Sequence, residues 1–220
     1  MNDFIIDPGA IVISCQAAPD NPFRGSCLMA LMGRAAAAGG AGGIRANGAA
    51  DIVAIRDVVQ LPIVGLNKIG DPSGVFITPT YESAAEVVSA GADLVALDGT
   101  RRPRPGGQSL NKLVAQIHAD LGVPVMADVD SYEAGVEARL AGADFVATTL
   151  SGYTGGPVPS GPDVDLVGRL VAGLDCPVVA EGRYWTPEDV RAAFAAGAYA
   201  VVVGTAVTNP MAITRRLVGR

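Results

Sequence analysis

The chain has 220 residues, half of them hydrophobic and only 5% aromatic, with a formal net charge of −6. Its length suits one domain spanning residues 1–220, because α/β barrels run to this size, and its negative balance argues against nucleic acid or an anionic membrane as partner. Mean hydropathy is high at +0.35, yet no stretch approaches the roughly 18 uninterrupted apolar residues of a membrane span.

In chain order, the first apolar run predicts a strand at 11–15, stopping at Gln16, and a helix at 25–39. A strand at 42–46 carries Arg45 near its end and leads to a helix at 48–60. The strand at 62–67 stops at Lys68, with a helix at 80–90. The strand at 94–98 ends in Asp98 and passes through an irregular Arg- and Pro-rich stretch, 100–108, to a helix over 107–121. The strand at 124–128 ends in Asp128, and Ser131 opens a helix over 131–141. The strand at 145–149 ends in Thr148 and Thr149, and a Gly- and Pro-rich loop, 151–163, precedes a helix at 164–173. The strand at 177–181 ends in Glu181, and Thr186-Pro187-Glu188 starts a helix over 186–196 with a cap, an early proline and an acid. The last strand, 200–204, ends in Gly204, and a helix follows at 209–218.

Two strand types alternate in this series. Ala-Gly-Ala-Asp-Leu-Val (90–95), Ala-Gly-Ala-Asp-Phe-Val (141–146) and Ala-Gly-Ala-Tyr-Ala-Val (196–201) share a template that recurs about every 50 residues, with x-Pro-x-Val strands between them. The regularity implies a repeated βα unit. Eight strands alternating with eight helices require an all-parallel sheet, and the closed (β/α)₈ TIM barrel is favoured over an open doubly wound sheet, because no glycine-rich nucleotide fingerprint follows any strand.

In such a barrel the carboxyl ends of the strands converge on one bowl. The residues there are Gln16, Arg45, Lys68, Asp98, Asp128, Thr148 or Thr149, Glu181 and Gly204. Seven of the eight are polar where apolar runs stop, a break in local pattern that marks a functional site. Among apolar walls and beside Arg45, Lys68 is driven toward the neutral amine of a general base or Schiff-base nucleophile; nearby carboxylates drive it the other way. Glu181 is its partner acid or base, and Arg45 and Asp128 suit the holding of hydroxyl and carbonyl oxygens. Barrels commonly bind phosphate at the loops after the last two strands. Those loops place Gly182, Arg183, Gly204 and Thr205 at an anion site.

The remaining chemistry-bearing residues read as structural. Cys15, Cys27 and Cys176 form no Cys-x-x-Cys pair, which argues against disulfides or structural zinc and fits a reducing cytoplasm. Met1 to Asp7 has no basic region and only a short apolar stretch, so it does not read as a signal peptide. His118 reads as a surface residue on a helix, and its isolation as the single histidine argues against a serine–histidine triad and a histidine-rich metal site.

The stretches Ser14-Cys-Gln-Ala, Gly43-Ile-Arg-Ala-Asn-Gly, Phe76-Ile-Thr-Pro-Thr, Met126-Ala-Asp-Val, Thr148-Thr-Leu-Ser-Gly-Tyr-Thr, Ala180-Glu-Gly-Arg and Val201-Val-Val-Gly resemble the N-acetylmannosamine-6-phosphate 2-epimerases of sialic-acid catabolism. The resemblance runs nearly the whole chain. It implies a TIM-barrel isomerase that interconverts the 6-phosphates of N-acetylmannosamine and N-acetylglucosamine without a cofactor or metal. It also implies that Lys68 is the base at carbon 2, that Glu181 assists ring opening or proton transfer, and that Gln16, Arg45 and Asp128 bind the amino-sugar phosphate. The family commonly has a second glycine where Thr205 stands and a phosphate-binding arginine where Asn209 stands; Arg183 is the expected substitute. A Schiff-base, aldolase-like barrel and a non-catalytic sugar-phosphate-binding barrel are the alternatives, and a homodimer is left open.

Overall fold

Along each of the eight apolar runs, alternate side chains point to opposite sides of the sheet, and this period of two sorts the core into two layers. The computed structural model describes residues 5–155 and 158–219. Its strands are β1 (Ile11–Cys15), β2 (Gly43–Asn47), β3 (Ile63–Leu66), β4 (Leu94–Asp98), β5 (Val125–Asp128), β6 (Phe145–Ala147), β7 (Val178–Glu181) and β8 (Ala200–Val203). Each pairs in parallel with its sequence neighbours, and β1 pairs with β8 to close the barrel. Val12, Val64, Leu66, Leu94, Ala96, Met126, Phe145, Ala147, Val179, Ala200 and Val202 pack together as one buried cluster inside it. Their neighbours Ile13, Ile44, Ile63, Val95, Val125, Val146, Val178 and Val201 pack outward, with helix residues such as Met29, Ile52, Val87 and Leu170. The all-parallel sheet is therefore covered on both faces.

The helices are α1 (Ser26–Ala38), α2 (Ala49–Arg56), α3 (Tyr81–Ser89), α4 (Leu110–Leu121), α5 (Tyr132–Leu140), α6 (Val164–Gly173), α7 (Pro187–Ala195), α8 (Thr205–Thr208) and α9 (Pro210–Leu217). Their starts follow from local chemistry. Thr186 and Asp189 form a capping box ahead of α7, with Pro187 at the first position, and the Ser131 side chain accepts the Ala134 N–H at the head of α5. Close approach between layers selects glycine at position 65, where an added Cβ would lie 2.4 Å from the Ala92 Cβ.

Two features depart from the expected element map. Pro105–Gly107 forms a single 3-10 turn, with Gly106 at φ 71° and Gly107 at φ 69°, which delays α4 to Leu110. The expected loop 203–206 begins a short helix, α8, whose Thr208 hydroxyl donates to the Ser14 carbonyl at 2.8 Å. Asn209 ends α8 in a non-helical conformation, and its Oδ1 accepts the Ala212 N–H at 3.0 Å, capping α9 ahead of Pro210. In the loop 151–163, Gly156 and Pro157 lie outside the described residues.

Candidate active site

The alternation that fills the barrel also aims the site. Met126 faces inward, so Asp128 does too; Val179 faces inward, and so does Glu181; Val64 and Leu66 carry the same parity to Lys68, and Ala147 carries it to Thr149. Arg45 lies two residues along β2 from Gly43, in register with Ser14 of β1 and Val64 of β3. The result is a cavity of about 1220 Å³ at the carboxyl ends of the strands. Gln16, Arg45, Lys68, Thr149, Glu181, Gly182, Arg183, Gly204 and Thr205 are among its lining residues.

At its floor is a network of three charges and a hydroxyl. Arg45, only 1% exposed, donates through Nη1 and Nη2 to the two oxygens of Asp128 at 3.1 and 2.5 Å, and its Nη1 lies 3.1 Å from Glu181 Oε2. The Thr149 hydroxyl oxygen is 2.7 Å from Asp128 Oδ1 and 2.9 Å from Glu181 Oε2. A hydroxyl has one proton to donate, so both contacts are hydrogen bonds only when one carboxyl carries a proton. Burial raises the Glu181 carboxyl above the ordinary range, and Asp128 adds to this against the opposing pull of Arg45, Thr149 and Lys68. Of the two carboxyls, Glu181 is the one whose proton affinity is raised in this way. Its backbone is fixed by Thr148, whose hydroxyl donates to the Glu181 carbonyl at 2.9 Å and accepts the Glu181 N–H at 3.0 Å.

Lys68 stands across the bowl on the loop after β3. That loop is held by an isolated antiparallel bridge between Lys68 and Ile77, by Asn47 Oδ1 accepting the Lys68 N–H at 2.8 Å, and by Thr78, at φ 43°, donating to the Ala96 carbonyl. Among the described residues its amine has no ion-pair partner. The residue is open to the solvent that fills the cavity, while the concave wall of protein around its amine governs the cost of charging it. Burial lowers its pKa first and Arg45 lowers it further, outweighing Glu181 and Asp128. The net shift that sequence left open is downward.

This has a measurable sign. A base must be neutral to accept a proton, so kcat/KM is expected to climb about tenfold per pH unit on the acid side and to level off with a midpoint clearly below the 10.5 of an ordinary lysine. A profile flat across that limb, or one breaking only near 10.5, contradicts Lys68 as the base.

Several expected residues are placed differently. Asp128 was expected to bind substrate directly, but it is fully buried behind Arg45 and Thr149. It holds those two side chains at the cavity wall. Arg183 lines the cavity at φ 63°, yet its Nε donates to the Gly161 carbonyl and its Nη1 to the Ser151 carbonyl, each at 2.6 Å, and its guanidinium lies 5.2 Å over the Tyr153 ring. Two of its five N–H donors strap the loop after β6, and the others are not used by those two bonds. Asp98 is fully buried and accepts from Thr100 and Arg102, while Arg104 donates to its carbonyl. It organises the loop after β4 and does not line the cavity.

The loops after the last two strands line the cavity through Gly182, Gly204 and Thr205. A Cβ on Gly204 would lie 3.2 Å from the Ser14 Cβ, and the N–H groups at the start of α8 have no intrahelical acceptor. Gln16 donates through Nε2 to Ser14 Oγ at 2.9 Å, and its Oε1 is buried without a partner, a vacancy for a ligand hydroxyl or amide N–H. Of the two expected threonines, Thr149 lines the cavity, as its parity with Ala147 requires, and Asn47, which the sequence reading missed, does so from the end of β2. Burial raises the Cys15 thiol to about 12, so it is inert. His118 pairs with Asp144 at 2.8 Å away from the cavity. Among the described residues no three His, Cys, Asp or Glu side chains gather as a metal ion needs, and no helix is long and apolar enough to cross a membrane.

The protein is a (β/α)₈ barrel whose mouth brings together a lysine with a lowered pKa, a buried arginine and a carboxyl with a raised one. Residues 29–220 match the family model described as "Putative N-acetylmannosamine-6-phosphate epimerase". The chain belongs to this family. It is 49% identical over 209 residues to a Cutibacterium acnes protein named "Putative N-acetylmannosamine-6-phosphate 2-epimerase", covering 94% of this chain and 91% of the relative. Against a like-named protein of Caldanaerobacter subterraneus it is 46% identical over 211 residues, covering 94% and 89%. A solved structure of the N-acetylmannosamine-6-phosphate 2-epimerase from Clostridium perfringens superposes with a TM-score of 0.93 at 41% identity, covering 97% of this chain and 94% of that one.

Proposed function

We propose that this protein interconverts N-acetylmannosamine 6-phosphate and N-acetylglucosamine 6-phosphate by moving the proton on carbon 2. The observation that carries the reading is the unpaired, neutral-leaning amine of Lys68 in the same cavity as Arg45 and a Glu181 held toward its protonated form. The sugar ring opens to an aldehyde, with Glu181 exchanging a proton with the ring or hydroxyl oxygen. The aldehyde acidifies the neighbouring C–H, and Lys68 removes that proton. The Arg45 guanidinium, fixed in place before the substrate arrives, stabilises the negative charge that develops on the aldehyde oxygen. Return of a proton to the opposite face completes the inversion, and carbon 2 keeps its oxidation level throughout.

Gln16 supplies its open acceptor to the substrate, and Gly182, Gly204 and Thr205 offer backbone N–H groups to the phosphate. Incubating the protein with N-acetylmannosamine 6-phosphate and following the sugar by NMR is expected to show the gluco epimer appear. Adding borohydride during turnover is expected to leave Lys68 unmodified by mass spectrometry. A sugar-derived adduct on Lys68 points instead to Schiff-base, aldolase-like chemistry.

A further inference from the structure

A phosphate monoester carries about −1.5 to −2 charges at neutral pH, and this chain carries a net charge of −6. The cavity therefore needs a cation that is not already spent on protein. Among the described residues, five cationic side chains line it: Arg24, Arg45, Lys68, Arg102 and Arg183. Arg45 is closed between Asp128 and Glu181. Arg102 pairs with Asp98 and donates to the carbonyls of Pro72 and Ser73. Arg183 is engaged by the Ser151 and Gly161 carbonyls, and Lys68 leans toward its neutral form. Arg24 is exposed to the cavity, and among the described residues its guanidinium has neither a hydrogen-bond nor an ion-pair partner.

Its place in the fold fits that charge to the anion end of the bowl. Arg24 closes the loop leaving β1, where its own N–H donates to the Asn21 carbonyl at 2.9 Å. That side of the mouth is shared with Gly204 and α8: β1 pairs with β8, and Thr208 ties α8 to the Ser14 carbonyl. Asn209, occupied in capping α9, supplies no charge.

We propose that Arg24 grips the phosphate of the substrate, facing the Gly204 loop. It adds an unpaired guanidinium to the charge of Arg183, whose Nε and Nη1 are held by carbonyls, where Asn209 brings none. The planar guanidinium suits a phosphate because it donates two parallel hydrogen bonds. The proposal rests on the sugar-phosphate reading of the site.

The test compares wild type, Arg24→Ala and Arg24→Lys in steady-state kinetics with N-acetylmannosamine 6-phosphate, and in calorimetric titration with inorganic phosphate. Arg24→Ala is expected to raise both KM and the phosphate dissociation constant about ten- to hundredfold. Its kcat is expected to stay within about threefold of wild type, since the lost contact is made equally in ground and transition states. Arg24→Lys is expected to recover part of both losses, and the melting temperature to stay unchanged in both variants. An Arg24→Ala protein with wild-type KM and wild-type phosphate affinity overturns the proposal. A wild type that turns over no substrate defeats the functional reading, while the phosphate titration, independent of turnover, still decides the role of Arg24.

Discussion

Replacing Lys68 with methionine is expected to slow epimerisation by about a hundred- to ten-thousandfold, the range a positioned general base supplies, while leaving the protein folded. The two halves of that expectation have separate physical grounds. Methionine keeps the length and apolar character of the stem but has no lone pair basic enough to take a proton from carbon. Structure survives because the Lys68 amine has no ion-pair partner among the described residues, and the bonds that place the residue are made by its backbone: its N–H to Asn47 Oδ1 and its bridge to Ile77. A thermal melt within a degree or two of wild type, where ~1 kcal/mol shifts a domain of this size by about 2–4 °C, accompanies the lost activity. A Lys68→Met protein keeping most of its kcat removes Lys68 from the chemistry.

The second large effect is on stability and falls on Asp128. Arg45 is 1% exposed and Asp128 wholly buried, and the pair is joined by two parallel hydrogen bonds. Taking one partner away leaves a buried charge without its match, a loss of about 3–5 kcal/mol. Asp128→Ala is therefore expected to melt roughly 6–20 °C below wild type, combining that loss with the size scaling of melting temperatures. Activity falls with it, because Arg45 loses its two-point anchor and Thr149 loses one of its two carboxylate neighbours. A calorimetric scan decides this. An Asp128→Ala protein that melts with wild type means that Glu181 alone compensates Arg45.

Much of this arrangement is legible in the sequence because a β-strand has a period of two. Once Pro124-Val-Met-Ala-Asp128 and Pro177-Val-Val-Ala-Glu181 are read as strands of a closed barrel, the direction of both carboxylates follows from counting back to Met126 and Val179. The same count, carried past the end of β6, picks out Thr149. Resemblance to a family then attached roles to those positions.

What the sequence did not disclose depends on contacts between distant loops. Arg183 reads as a phosphate ligand from its place beside Gly182, and nothing local shows that two of its donors go to Ser151 and Gly161, some 20 to 30 positions away in the chain. Asp128 reads as a ligand residue because it ends a strand, and only packing shows that Arg45 and Thr149 cover it. The protonation of Lys68 is a balance of burial and Arg45 against two carboxyls, and burial has no sequence signal. The helix α8 is four residues long, too short for any periodicity to announce.

In the proposed chemistry Lys68 takes the proton from carbon 2, and a proton that has exchanged with solvent returns to the opposite face. The direct measurement is proton NMR of N-acetylmannosamine 6-phosphate with the protein in D2O, run beside the Lys68→Met variant. Wild type is expected to place solvent deuterium at carbon 2 as the gluco epimer accumulates, with the variant doing neither on the same timescale. Epimer formed with the original hydrogen fully retained at carbon 2, or deuterium entering equally fast in the variant, contradicts it.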